Sequence, residues 1–196
     1  MRFRKAVKKD ADELAELHAE YIHWGFLTSL GTVVLRTVYA SLAEYPEGAV
    51  MIAEENGKIA GFVSGVSGLK NYYSFFFRKH FFKVFPQVIK RPMVLCKALE
   101  TLRYPFKSRG KDPGACLPDN ELLAIVVRRG YQGKGVARGL FDSIGKWFDA
   151  KGEGTFKTTV GDNNSQSITF FKKMGCRIVG EEEIHKGEVS RVFLCD

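Results

Sequence analysis

The segment Arg128-Arg129-Gly130-Tyr131-Gln132-Gly133-Lys134-Gly135-Val136-Ala137-Arg138 combines glycines with cations between an apolar run and a helical pattern. The first N–H groups of a helix lack partners within it, and the helix dipole favours negative charge there. Glycines at 133 and 135 let the backbone approach a phosphate closely, with Lys134 or Arg138 beside it, so the segment reads as an anion site. A Walker A loop needs four residues before its Gly-Lys pair and a Ser or Thr after it. Here only Tyr131 and Gln132 separate Gly130 from Gly133, and Gly135 follows Lys134. A dinucleotide fingerprint would need glycine where Arg138 stands. Both nucleotide motifs fail.

The elements around the loop follow from periodicity. A strand at Phe3 to Val7 precedes Asp10-Ala11-Asp12-Glu13, which has capping-box spacing, and a helix carrying Leu14, Leu17, His18, Tyr21 and Ile22 on one face. A loop, Gly25 to Ser29, leads to a second helix with Leu30, Val34, Leu35, Val38, Tyr39 and Leu42. Val50 to Glu54 and Ile59 to Val66 form a hairpin about Asn56-Gly57. The repeat Tyr72/Tyr73, Phe76/Phe77, His80/Phe81, Val84 predicts a helix ended by Pro86, and Leu95, Leu99 and Leu102 predict a second one, making a helical hairpin over about 68–118. Leu122 to Val127 has the continuous apolar character of a central strand buried on both faces. After the loop come a helix with Leu140, Phe141, Ile144, Trp147 and Phe148, a strand Phe156 to Val160, a helix Ser165 to Met174, and a closing hairpin of Arg177 to Glu183 with Val189 to Leu194.

In this setting Gln132-Gly133-Lys134-Gly135-Val136-Ala137 resembles the acyl-CoA signature Q/R-x-x-G-x-G/A of the GNAT N-acetyltransferase superfamily. The preceding strand and the later Asn164…Phe171-Lys172-Lys173-Met174-Gly175-Cys176 fall at that family's spacing, and the order of elements agrees across the whole chain except the basic hairpin. The resemblance implies one α/β domain over 1–196, a mixed central sheet flanked by helices, with 68–118 inserted. It implies acetyl-CoA as the donor, its pyrophosphate on backbone N–H groups from Gly133 to Arg138. The pantetheine arm would pair like a strand with Ile125, Val126 and Val127, which requires the two central parallel strands to splay. Asn164 and Phe171 would border the arm. No metal is implied, and His18, His23, His80 and His185 show no ligand spacing.

Acyl transfer to an amine needs a proton acceptor and a way to protonate the leaving thiolate. Glu121, at the start of the central strand, matches the position where several relatives carry a base, with Asp119 in reserve. Many relatives carry a tyrosine as the acid where this chain has Phe171, which has no proton to give. The acceptor expected is a primary amine on a small molecule, an amino sugar first. A protein N-terminus or lysine, and a CoA-binding module without catalysis, stay open. The segment Trp24 to Ser29, between helices that border the acceptor pocket in this fold, is a candidate for shaping substrate choice.

The chain of 196 residues is 45% apolar and 27% charged, which suits one globular domain and excludes disordered and fibrous classes. No apolar run has membrane-spanning length, and the charged N-terminus lacks a signal-peptide core, so a cytoplasmic location is expected. The four cysteines form no CxxC pair and are expected as thiols. The net charge of +8 is unevenly spread. Ten cations lie between Arg78 and Lys111 against Glu100 alone, among many aromatics. Such a hairpin would suit an anionic, ring-bearing acceptor, anionic membrane lipids or a homodimer contact, and less well nucleic acid, for which no module is present.

Overall fold

The computed structural model describes residues 1–23, 25–89, 117–152, 154–185 and 188–196. Its elements are β1 (Arg2–Lys5), α1 (Ala11–Tyr21), the short α2 (Phe26–Ser29), α3 (Thr32–Glu44), β2 (Gly48–Glu55), β3 (Lys58–Ser67), α4 (Leu69–Ile89), β4 (Asn120–Val127), α5 (Val136–Asp149), β5 (Phe156–Gly161), α6 (Ser165–Lys173), β6 (Arg177–His185) and β7 (Glu188–Cys195). The strands form one mixed sheet, as the resemblance predicts, and their order in it is β1-β2-β3-β4-β5-β7-β6. All neighbours are antiparallel except β4 and β5.

Helices cover both faces because the strands alternate their side chains between two cores. On one side α1, α3 and α4 pack Leu14, Leu17, Leu35, Tyr39, Tyr72 and Phe76 against Ile52, Phe62 and Val126. On the other, α5 and α6 pack Leu140, Ile144, Phe148 and Phe171 against Val63, Leu122, Phe156 and Phe193. Gly65 makes room for this second core: a Cβ there would lie 2.8 Å from the Phe148 ring. Asn56 and Gly57 take positive φ, as the turn between β2 and β3 requires.

Four expectations are corrected. Pro86 does not end its helix; α4 continues to Ile89. The hydrogen bond that Pro86 cannot donate would have gone to the carbonyl of Phe82, whose side chain is exposed, so water can replace it. Asp10 makes no side-chain cap to α1. Its carboxylate instead accepts from Val7 N at 2.8 Å and from both Arg4 terminal nitrogens, at 2.8 and 3.0 Å. The loop Gly25 to Ser29 contains the short helix α2. Cys176 and Cys195 form a disulfide, with Cα atoms 4.3 Å apart. They are 19 positions apart in sequence, but the register sets Arg177 opposite Leu194 and so brings the flanking cysteines together. Leu95, Leu99 and Leu102, with Cys96 and Cys116, lie outside the described residues. No helix among the described residues is long and apolar enough to cross a membrane.

Candidate active site

β4 and β5 are paired at one position, Glu121 with Lys157. Beside it the Thr158 hydroxyl donates to the Leu122 carbonyl at 3.0 Å, and then the strands part. Beyond this apex the edge of β4 that faces β5 has no ladder, so its backbone groups are available to an extended ligand. The result is a cleft of 840 Å³, walled by Leu122 to Val127 on one side and Thr158 to Gly161 on the other. Opposite β3, the register skips Leu123, a bulge that reverses the side-chain alternation toward Glu121.

The glycine loop closes one end. Gly133 and Gly135 have φ of 74° and 78°, and a Cβ at either would meet nothing within 4 Å. Glycine is required there by conformation, and the space in front of the loop is open. Gly135 starts α5, whose first internal bond runs from Gly139 N to Gly135 O, so the N–H groups of Val136, Ala137 and Arg138 have no partner within the helix. No acidic residue occupies that first turn. Gln132, Gly133, Gly135, Val136, Ala137 and Arg138 all line the cleft. Gln132 also shapes it, its amide nitrogen donating to the Val127 carbonyl at 3.0 Å.

The cations of the loop divide. Arg138 lines the cleft, whereas Lys134 is not part of the wall and its ammonium lies 5.6 Å from the centre of the Tyr131 ring. Arg128 is engaged structurally, donating to the Ile59 carbonyl at 2.7 Å and pairing with Glu13 at 3.2 Å and Glu20 at 3.8 Å. Asn164 lines the far wall and caps α6, its side-chain oxygen accepting from Ser167 N at 3.0 Å. Phe171 is buried in the wall against Phe141, Phe170 and Phe193.

The two carboxylates occupy different places. Glu121 is buried at the apex, just below the cleft wall, with the Lys157 ammonium at 3.8 Å. It also faces α4: burial pushes the Tyr73 phenol above its ordinary range, and the Glu121 charge adds to the rise. Asp119 is exposed, outside the cleft, and its carbonyl accepts from Gly68 N at 3.0 Å, which fastens the start of α4 beside β4. Thr159, which stands where some relatives of the resembled family carry a second acidic residue, lines the cleft, and so do Lys173 and, from the end of α1, Tyr21 and Ile22, to which the sequence assigned no site role. The Tyr21 hydroxyl accepts from Arg129 N at 3.0 Å. Tyr21 and Ile22 fall on the helical face read as core, so no local signal separates them. Among the described residues no cluster of His, Cys, Asp or Glu could hold a metal.

Residues 102–176, which contain the loop, the cleft walls and Asn164, match the acetyltransferase (GNAT) family. This segment is similar to a GNAT acetyltransferase domain. Its fold agrees with an N-acetyltransferase from Staphylococcus aureus Mu50, at 18% identity and TM-score 0.63, covering 99% of this chain and 100% of that one. It agrees as well with a GNAT-family acetyltransferase from Bacillus cereus, at 13% identity and TM-score 0.58, covering 100% and 96%. A GNAT-family acetyltransferase from Streptococcus pneumoniae, at 18% identity and TM-score 0.58, covers 98% and 97%. No curated protein matches the sequence. Acetyl-CoA is the donor of GNAT enzymes, and the open strand edge, the helix N–H groups without a partner in the helix and the glycine loop found here fit such a molecule.

Proposed function

We propose that the protein transfers an acetyl group from acetyl-CoA to a primary amine of a small-molecule acceptor, an amino sugar first, by direct attack in a ternary complex. The observation that carries this reading is the parting of β4 from β5 after one paired residue, with the cleft running to the start of α5. Ile125, Val126 and Val127 would hold the pantetheine arm as an added strand. The N–H groups of Val136, Ala137 and Arg138, with the Arg138 side chain, would hold the diphosphate. Because the Asn164 oxygen is engaged as a cap, its amide nitrogen is the group offered to the arm.

The amine nitrogen attacks the thioester carbon, a C–N bond forms, the C–S bond breaks, and the amine's proton passes to Glu121. As Glu121 is recessed from the wall, that proton travels through water. Phe171 supplies none to the departing thiolate, which takes its proton from solvent. Glu121→Gln is expected to lower kcat by about 10²–10⁴-fold while acetyl-CoA affinity changes little, measured by thiol release and calorimetry. An unchanged pH–rate profile would remove Glu121 from this role.

Recessed Glu121 and acid-less Phe171 favour a second reading, a module that binds acetyl-CoA without turnover. Thiol release across a panel of amino sugars, polyamines, amino acids and peptides separates the two. Tight binding with no amine-dependent release selects the second, and the preferred amine separates small-molecule from protein acetylation.

A further inference from the structure

Helix α4 is apolar on two opposite faces. Leu69, Tyr72, Phe76 and Val84 are buried against α3 and the sheet. Half a turn away, Phe81, Phe85 and Ile89 recur every four residues and Phe82 stands beside them, exposed by 42%, 46%, 53% and 91%. Phe81 stacks on Phe85 with ring centres 4.8 Å apart and meets Phe82 edge-on at 5.6 Å. These rings therefore form one patch. A cluster of large exposed apolar side chains on one helix face marks a contact surface.

The charges around the patch indicate what it contacts. Arg78 lies one turn before Phe81 and Phe82 on the same face and Lys83 flanks it, both exposed, while Lys79 is paired with Glu44 at 2.5 Å. From Arg78 to Ile89 there is no acidic residue, and the sequence continues basic to Lys111 with Glu100 as the one counter-charge. Two copies docked through this face would press Arg78 and Lys83 of one against the same cations of the other, which disfavours self-association. Aromatics that enter the acyl boundary, ringed by cations that meet lipid phosphates, supply the two signals that peripheral membrane binding needs.

We propose that the outer face of α4, formed by Phe81, Phe82, Phe85 and Ile89 with Arg78 and Lys83, docks on an anionic phospholipid bilayer. The glycine loop, the cleft and Glu121 take no part in the contact. This surface is independent of the acetyl-transfer reading.

The test is sedimentation of the full chain with vesicles of phosphatidylcholine alone, or with about one third phosphatidylglycerol. Binding to the anionic vesicles should exceed binding to neutral ones by at least about tenfold and should weaken with added salt. The double variant Phe82→Ser, Phe85→Ser should lose at least about tenfold of that binding, with the unfolding temperature and acetyl transfer unchanged, since both side chains are exposed. Phe82→Trp should show blue-shifted emission on anionic vesicles, reporting ring insertion. Equal binding to both vesicle types, no binding, or retention by the double variant would overturn the proposal. So would a dimer in solution that the double variant dissolves, or binding of RNA or of an acidic protein without binding to anionic vesicles.

Discussion

The two sides of the sheet are built on different principles. The core under α5 and α6 is nearly all hydrocarbon and aromatic ring: Phe148, Phe156, Phe141, Phe171 and Phe193 touch in that order, with Phe148 stacked on Phe156 at 4.9 Å. The core under α1, α3 and α4 buries polar groups. The Tyr39 hydroxyl lies 2.5 Å from His18 Nδ1, and the Tyr72 hydroxyl donates to the Val38 carbonyl at 3.2 Å. The first side is a stiff platform behind the glycine loop and the cleft. The second trades some apolar packing for directional bonds, and among the described residues it carries the helix with a second apolar face, α4. The proposed donor would need a fixed backbone shape, whereas the proposed acceptor and docking surface would be specified by side chains.

The largest expected effect tests the stiff side. Phe148→Ala should destabilise the fold by about 3–5 kcal/mol, read from denaturant unfolding, because Phe148 is fully buried between Phe156 and the bare face of Gly65. A loss below about 1 kcal/mol would mean that this core is no better packed than its counterpart.

The next effect belongs to the polar side. Burial lowers the His18 pKa to about 4, against 6.5 for an ordinary histidine. Between those values the unfolded chain takes up a proton that the folded protein refuses. Stability from this group is therefore full above pH 6.5 and is lost as pH falls toward 4, by about 3 kcal/mol in all. His18→Gln should flatten that part of the stability–pH curve; an unaltered slope would show that buried polarity does not distinguish the two sides.

A smaller and more local effect is expected at the platform's edge. Gly135→Val forces a β-branched residue to positive φ, with its side chain in the open space before α5. Acetyl-CoA binding should weaken at least about tenfold by calorimetry. Retained affinity would detach the loop from the donor site.

Much of the fold could be read before the structure, because its signals are local. Alternation and helical spacing located the strands and helices, and the Gln132 to Ala137 signature marked a loop whose function depends on backbone conformation. The remainder depends on three-dimensional placement. Arg128 looked like part of an anion site, yet its guanidinium binds Glu13 and Glu20, far away in sequence. Cys176 and Cys195 become neighbours only through the β6–β7 register. Glu121 was identifiable as a carboxylate at a strand start, but its depth below the cleft wall and its pairing with Lys157 follow from where β5 joins the sheet. Pro86 was read by its usual effect, which the exposed turn at Phe82 relieves.

The meeting point of β4 and β5 entangles chemistry with architecture. Glu121 is at once the proposed proton acceptor and the charge partner of a buried lysine at the one place where those strands pair among the described residues. Removing its charge leaves Lys157 buried without that counter-charge, a change that commonly costs about 3–5 kcal/mol. The angle at which the strands diverge therefore answers to the same side chain as the proton transfer. A slower Glu121 variant is informative about catalysis only when its donor affinity shows the cleft still open to the same width.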